Sequence, residues 1–184
     1  DGEALVWLEG RSGQGVLIAK RRGEAPRDLT AERSVRARVG YGGGDFTVFD
    51  EIVYFVSGGR LYRQSLREGV SQPITPPYGD AASPRVSPDG KWLLFVHSDG
   101  VEDVLAIVDT KGHFWPQRLA SGRDFYMQPC WHPSGEQVAW VAWDHPHMPW
   151  DGADLTLASL TLPDQGLPRV RESERIAGGG EVAV

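Results

Sequence analysis

The sequence predicts an all-β fold, a partial β-propeller of about four blades, each blade a four-stranded antiparallel sheet. Two observations support this. Four similar segments centre on Leu29, Ile74, Leu119 and Ile176, at spacings of 45, 45 and 57 residues. In addition, 13 prolines, 23 glycines and 7 tryptophans in 184 residues indicate short strands joined by tight turns. No segment keeps the 3.6-residue period of a helix over three turns.

Each repeat contains two strand-like runs, which occupy the B and C positions when the strands of a blade are lettered A to D from the inside. The B runs are nearly all apolar, which predicts burial on both faces. The C runs alternate more and are expected to lie nearer the solvent. Turn signals, strong in "SPDGK" and "HPSGE" and weaker in "FDE", separate strand A from strand B. The B runs are "ALVWLE", "IVYFV", "KWLLFV" and "QVAWVAW", and the C runs are "GVLIAK", "RLYRQSL", "DVLAIVD" and "DLTLASL".

The repeat divides the propeller region, residues 1–184, into successive blades. Propellers usually close with four to eight blades, so a piece of a larger propeller is favoured over a small ring closed by "EVAV". The chain also begins without methionine, and it is expected to be an internal or processed piece. Its open blade edges would invite self-association unless other chain covers them. The expected blades are 1–34 (incomplete), 35–80, 81–122 and 123–178, followed by the start of a further strand.

Composition excludes several classes of function. A net charge of −6 argues against a nucleic-acid partner, and no apolar run is long enough to span a membrane. The lone cysteine, Cys130, excludes an internal disulfide and fits a reducing compartment, so a cytoplasmic location is expected. Its place in an apolar strand predicts a buried structural thiol that does not act as a nucleophile.

The stretch "DHPHMPWD", residues 144–151, has two interpretations. Its histidines and carboxylates are ligands that zinc accepts. Its two prolines favour instead a rigid hairpin loop between strands B and C. In that loop Trp150 and Met148 fold back over the blade, and Asp144 and Asp151 accept backbone N–H groups. The structural interpretation is favoured, and we expect neither a metal nor a cofactor.

Two segments resemble a known family. "SPDGKWLLFV" and, more specifically, "WDHPHMPWDGADL" resemble the propeller of S9 serine peptidases of the prolyl oligopeptidase family, in the acylaminoacyl-peptidase and dipeptidyl-aminopeptidase-like branch. "VRARVGYGGGDF" resembles a second pattern of that branch, an arginine-rich strand that runs into Tyr-Gly-Gly-Gly. It departs from the pattern at Gly40, where an additional and acidic residue is expected. The resemblance covers the whole chain but only the propeller half of such enzymes.

The resemblance implies that the catalytic α/β-hydrolase domain lies elsewhere in the same polypeptide. That domain carries the nucleophile in a Gly-x-Ser-x-Gly elbow. Neither "GRSGQ" nor "HPSGE" matches the elbow, so no catalytic residue is assigned to this chain.

Geometry places the two family-like stretches on one rim of the propeller. In a four-stranded blade, the B–C hairpin and the D–A crossover emerge on the same face. "GYGGGD" lies on such a crossover; it lacks the last glycine of a dinucleotide fingerprint and predicts a close backbone approach instead. The resemblance implies that this rim contacts the hydrolase domain or lines the path of a peptide substrate. The candidate residues are Arg36, Arg38, Tyr41, Asp144, His145, His147, Trp150 and Asp151.

Three functions therefore stay open. The first is the non-catalytic propeller of a serine peptidase, which gates substrate access and packs on the hydrolase domain. The alternative is a stand-alone propeller, similar to TolB, that binds a protein or peptide. The third is a small metal-dependent hydrolase that uses Asp144, His145 and His147.

Overall fold

The computed structural model describes residues 3–39, 43–180, 182 and 184, and confirms the all-β prediction. Its fifteen strands form four antiparallel sheets, as in a partial β-propeller. The first sheet has three strands and the other three have four. The strands are β1 (Ala4–Arg11), β2 (Gln14–Arg21), β3 (Arg27–Asp28), β4 (Phe46–Phe49), β5 (Ile52–Ser57), β6 (Arg60–Ser65), β7 (Gln72–Pro73), β8 (Asp80–Val86), β9 (Trp92–Ser98), β10 (Asp103–Asp109), β11 (Gln117–Ala120), β12 (Phe125–Trp131), β13 (Gln137–Trp143), β14 (Asp154–Thr161) and β15 (Arg169–Gly178).

Each sheet is a meander in which consecutive strands pair. The orders are β1-β2-β3, β4-β5-β6-β7, β8-β9-β10-β11 and β12-β13-β14-β15. The turns predicted from the sequence separate β8 from β9 and β12 from β13. Gly90 and Gly135 close them with φ of 74° and 76°, a region that glycine enters without steric cost. In the first of these turns the Ser87 hydroxyl lies 2.6 Å from Asp89 Oδ1 and accepts the Trp92 N–H.

Three apolar cores lie between successive sheets, because the central strands send alternate side chains to opposite faces. In β5, Val53 and Phe55 join the core shared with the first sheet, whereas Tyr54 and Val56 join the core shared with the third. Burying each large apolar side chain contributes roughly 1.5–3 kcal/mol. These cores hold neighbouring sheets face to face and fix the positions of the connecting loops.

The C strands were expected to lie nearer the solvent than the B strands, which holds in the second and fourth sheets but is wrong in the first and third. Strand β10, which carries the alternating run "DVLAIVD", is buried along its whole length, and β2 and β6 are mostly buried. Strands β6 and β10 lie between two sheets, so both of their faces are covered. Conversely, β1 was expected to be buried on both faces and is only half-buried, with Leu5 63% exposed. In the described chain β1 belongs to the terminal sheet, which has a neighbouring sheet on one face.

Strand A of the third and fourth sheets carries a bulge before a proline. Ser83 and Gln128 have φ of 53° and 51°, and the pairing register shifts beside each of them. The bulge in β12 precedes Cys130, whose side chain is exposed. The prediction of a buried thiol is therefore wrong. Cys130 pairs with Ala139 on the outer face of the terminal sheet, away from the core residue Val138.

The C-terminal segment stays beside the fourth sheet. Gly179 and Val182 form an isolated antiparallel bridge, and the Ala153 N–H donates to the Val182 carbonyl over 3.4 Å. In the proposed small ring "EVAV" would complete the first sheet; Val182 of this stretch pairs here with Gly179, and Glu181 and Ala183 lie outside the described residues. Within the described residues there is no helix long and apolar enough to cross a membrane.

Candidate functional site

The stretch 144–151 forms the loop between β13 and β14, as predicted, and an arginine from the preceding turn anchors it. Arg123 Nε donates to Asp144 Oδ2 over 2.7 Å, and Arg123 Nη1 donates to Asp154 Oδ2 over 2.7 Å. Partial burial lowers the pKa of Arg123, but its hydrogen bonds with Asp154 and Asp144 raise that pKa above the usual value. One cation thus joins both ends of the loop to the start of β12.

Backbone hydrogen bonds to carboxylates close the loop further. Asp144 Oδ1 accepts the Asp124 N–H over 2.8 Å, and Asp124 Oδ2 accepts the His145 N–H over the same distance. Asp151 Oδ1 accepts the Met148 N–H over 2.7 Å. The prediction that Asp144 and Asp151 accept backbone N–H groups is confirmed. The loop also contains a cis peptide bond before its first proline, between His145 and Pro146.

The two histidines of the loop point to different neighbours. The ring of His145 packs edge-on against Phe125, with 4.9 Å between ring centroids. His147 Nδ1 lies 3.8 Å from Asp151 Oδ1, and its ring lies against Gly152, where a Cβ would be 2.8 Å from His147 Cγ. Among the described residues, no group of three or more His, Cys, Asp or Glu side chains is arranged to hold a metal ion. The residues of this loop do not fit the zinc-site interpretation.

The apolar residues of the loop are more exposed than predicted. Trp150 is 65% exposed and Met148 is 36% exposed. Most of the Trp150 side chain therefore faces solvent. An exposed tryptophan on a loop held by ion pairs is typical of a surface that contacts another molecule or domain.

The second motif crosses from the first sheet to the second. Val35 and Val39 are buried, and Arg36 and Arg38 between them are exposed. The segment is extended but is not a strand: the Val35 N–H donates to the Gly15 carbonyl, and the Arg36 N–H donates to the Val56 carbonyl. It therefore joins two sheets and presents two guanidinium groups to solvent. Tyr41, the remaining candidate here, lies outside the described residues.

The end of this crossover makes the close backbone approach that the sequence predicts. The Ser83 N–H donates to the Gly44 carbonyl over 2.9 Å, and the Ser83 hydroxyl donates to the Gly43 carbonyl over 3.1 Å. A Cβ at Gly44, whose φ is 67°, would lie 2.6 Å from the Ser83 Cα. Glycine at these positions therefore allows the backbones of the second and third sheets to approach closely. The described part of the motif precedes strand β4, and no helix follows it that would favour phosphate binding.

The structure brings together only part of the predicted set. Asp144, His145, His147 and Asp151 share one loop, whereas Arg36 and Arg38 lie two complete sheets away along the chain. Arg123, Asp124 and Asp154 also hold this loop, but they were not among the site residues predicted from the sequence. Their position carried a usable signal, because the turn before β12 and the β13–β14 loop emerge on the same rim of one blade.

Comparisons with known proteins relate this architecture to peptidases. A Mycobacterium tuberculosis puromycin-hydrolyzing peptidase is 26% identical, with a TM-score of 0.82 over 98% of this chain and 32% of that one. A puromycin hydrolase mutant complexed with PGG is 27% identical, with a TM-score of 0.80 and the same coverage. A putative TolB from Agrobacterium tumefaciens has a TM-score of 0.67 at 19% identity, which shows the fold alone, over 100% of this chain and 65% of that one.

These matches cover nearly all of this chain but only part of each peptidase. The chain spans about a third of the length of the peptidases that it matches. No family model and no curated protein matches the sequence.

Proposed function

We propose that this chain, whose fold is similar to the β-propeller region of S9-type puromycin-hydrolyzing peptidases, is the non-catalytic part of such an enzyme. Its role is to gate access of peptide substrates and to pack on an α/β-hydrolase domain of the same polypeptide. The structural likeness over 98% of the chain carries the proposal. The complex of a similar puromycin hydrolase with PGG supports a peptide as the substrate class.

The proposed contact surface, which we call the arginine-anchored loop, consists of residues 144–152. It combines two properties that a domain interface needs. The ion pairs of Arg123 hold the loop in one conformation, which lowers the entropic cost of binding. Trp150, which is 65% exposed, provides a large apolar surface of the kind that anchors interfaces. The exposed Arg36 and Arg38 are a second, positively charged element on the same rim.

The test uses the complete polypeptide and substrates of increasing length. Trp150→Ala and His147→Ala should change kcat/KM in a way that depends on peptide length, because the loop acts on substrate access and not on bond cleavage. Phe114→Ala is a matched control: this aromatic residue is 44% exposed and lies between β10 and β11, on the opposite rim. Unchanged kcat/KM at every length, together with unchanged stability, would reject the proposal.

The alternative is a stand-alone propeller that binds a protein or peptide. The likeness to TolB, at a TM-score of 0.67 over the whole chain, favours it as a second candidate. The reading frame that contains this chain separates the two functions. A strand, a Gly-x-Ser-x-Gly elbow and a helix downstream support the peptidase, whereas a stop codon after one closed ring supports the binding protein.

A further inference from the structure

A cavity of about 200 Å³ opens between the second and third sheets and shares no lining residue with the arginine-anchored loop. Its floor is apolar and continuous with the core that joins these sheets, through Ala81, Phe95 and Val104. Its rim carries two exposed aromatic residues, Tyr78 at 63% and Trp115 at 74%. An apolar concavity flanked by exposed large aromatic side chains is typical of a binding site.

One wall of the cavity is a cluster of rings. His97 lies edge-on to Phe95 with centroids 6.3 Å apart, and 5.7 Å from the ring of Tyr78. Burial lowers the pKa of His97, which favours the neutral imidazole, although the neighbouring Asp99 opposes that shift. A neutral ring wall accepts an uncharged aromatic guest in offset or edge-to-face geometry.

The walls are held in place before any ligand arrives. The Thr75 carbonyl, at the start of the segment that carries Tyr78, accepts hydrogen bonds from Arg60 Nε and Nη2 over 2.9 and 2.7 Å. Gly79 follows with a φ of 64°, and a Cβ there would lie 2.5 Å from His97 Cε1. Only glycine therefore allows this segment to approach His97 so closely.

The opposite side of the mouth is polar. Asp99 Oδ1 accepts the Val101 and Glu102 N–H groups, which orders the hairpin between β9 and β10. Glu102 pairs with Arg118. These paired charges offer donors and acceptors to backbone amides that flank a bound side chain.

We infer that this cavity, the Tyr78–Trp115 pocket, binds a single aromatic side chain presented by a polypeptide segment. An apolar cavity of roughly 150 Å³ suffices for one benzene ring, so the observed volume admits one ring and little more. Trp115 and Tyr78 cover the faces or edges of the ring, and the mouth charges bind its flanking amides. The inference is independent of the proposed function, because the pocket uses none of residues 144–152.

The test follows Trp115 directly by ¹⁹F NMR of protein labelled with 5-fluorotryptophan, whose Trp115 signal is assigned by its loss in Trp115→Phe. N-acetylphenylalaninamide should shift this signal saturably, with a dissociation constant on the order of millimolar, as befits so small a ligand. N-acetylcyclohexylalaninamide carries a six-membered ring without the π system and should bind at least about threefold more weakly. N-acetylglycinamide should cause no saturable shift.

Two variants complete the experiment. Tyr78→Ala should weaken binding about fivefold to tenfold, and the signal of the buried Trp140 verifies that the variant is folded. Phe114→Ala removes an exposed aromatic residue beside Trp115 that does not line the pocket, and should leave affinity within about twofold. The inference is overturned if Trp115 shows no saturable shift, if Tyr78→Ala binds as tightly as the wild type, or if the cyclohexyl ligand binds equally well.

Discussion

Replacement of Arg123 by leucine is expected to reduce the free energy of unfolding by about 2–3 kcal/mol. The two carboxylates that Arg123 joins differ in exposure: the side chain of Asp154 is 16% exposed and that of Asp144 is 46% exposed. The pair with Asp144 contributes only about 0–1 kcal/mol, because solvent screens it. The pair with Asp154 contributes about 1.5–3 kcal/mol, since its loss leaves a largely desolvated charge. Arg175, 3.4 Å from Asp154, compensates for part of that loss.

Urea denaturation followed by tryptophan fluorescence measures the change, and Trp140 and Trp143 are buried reporters in the same sheet. The midpoint should fall by about 1 M urea at an unchanged slope. Arg171→Leu is a matched control, because within the described residues Arg171 pairs only with its exposed neighbour Glu172; it should change stability by less than about 0.5 kcal/mol.

Double-mutant cycles then compare the two ion pairs of Arg123. The coupling energy of Arg123 with Asp154, measured with Asp154→Asn, should exceed its coupling with Asp144, measured with Asp144→Asn. The Arg123–Asp154 ion pair would not be the main anchor of the loop if Arg123→Leu lowered the free energy of unfolding no more than the Arg171 control. A stronger coupling of Arg123 to Asp144 than to Asp154 would also contradict it.

Three further predictions concern other parts of the fold. Gly44→Ala should destabilise the protein by about 2 kcal/mol or more in the same urea assay, because the new Cβ meets the Ser83 backbone. Gly58→Ala, at a comparable φ of 55° but with nothing within 4 Å of its Cβ, should cost less, and equal losses would contradict the steric argument. The thiol of Cys130 should react with Ellman's reagent in the folded protein at a rate near that of an exposed cysteine; protection until unfolding would contradict its exposure. Burial lowers the folded-state pKa of His97, so the unfolded chain binds its proton more readily and stability should fall as the pH drops through about 6.5. His97→Gln should reduce that pH dependence, and identical slopes in both proteins would reject the assignment.

The fold was predictable because its signals are local. Turn residues such as Gly90 and Gly135 recur at the spacing of the blades, and each apolar run is long enough for one strand. A hairpin is set by residues close in sequence, so the strand order of each sheet follows from the repeat. The loop between β13 and β14 was placed correctly for the same reason.

The burial of individual side chains could not be predicted from the sequence in the same way. The exposure of Cys130 depends on a bulge in β12 and on which face of the terminal sheet has a neighbour, and neither is encoded by the residues beside it. The degree to which the blade covers Trp150 likewise depends on the fold, which leaves this residue 65% exposed on an ion-paired loop. The apolar character of a residue does not predict which part of the fold will cover its side chain.

The all-β class, the repeat and the turn positions could be predicted from the sequence, since they follow from residue types at fixed spacing, and the motifs added a resemblance to peptidase propellers. The packing of the sheets was needed to show that Arg123 joins Asp144 to Asp154, and that Tyr78, His97 and Trp115 line one pocket. These groups come from different strands or from different sheets. Their approach depends on how whole sheets pack through their apolar cores, a property that no short stretch of sequence contains.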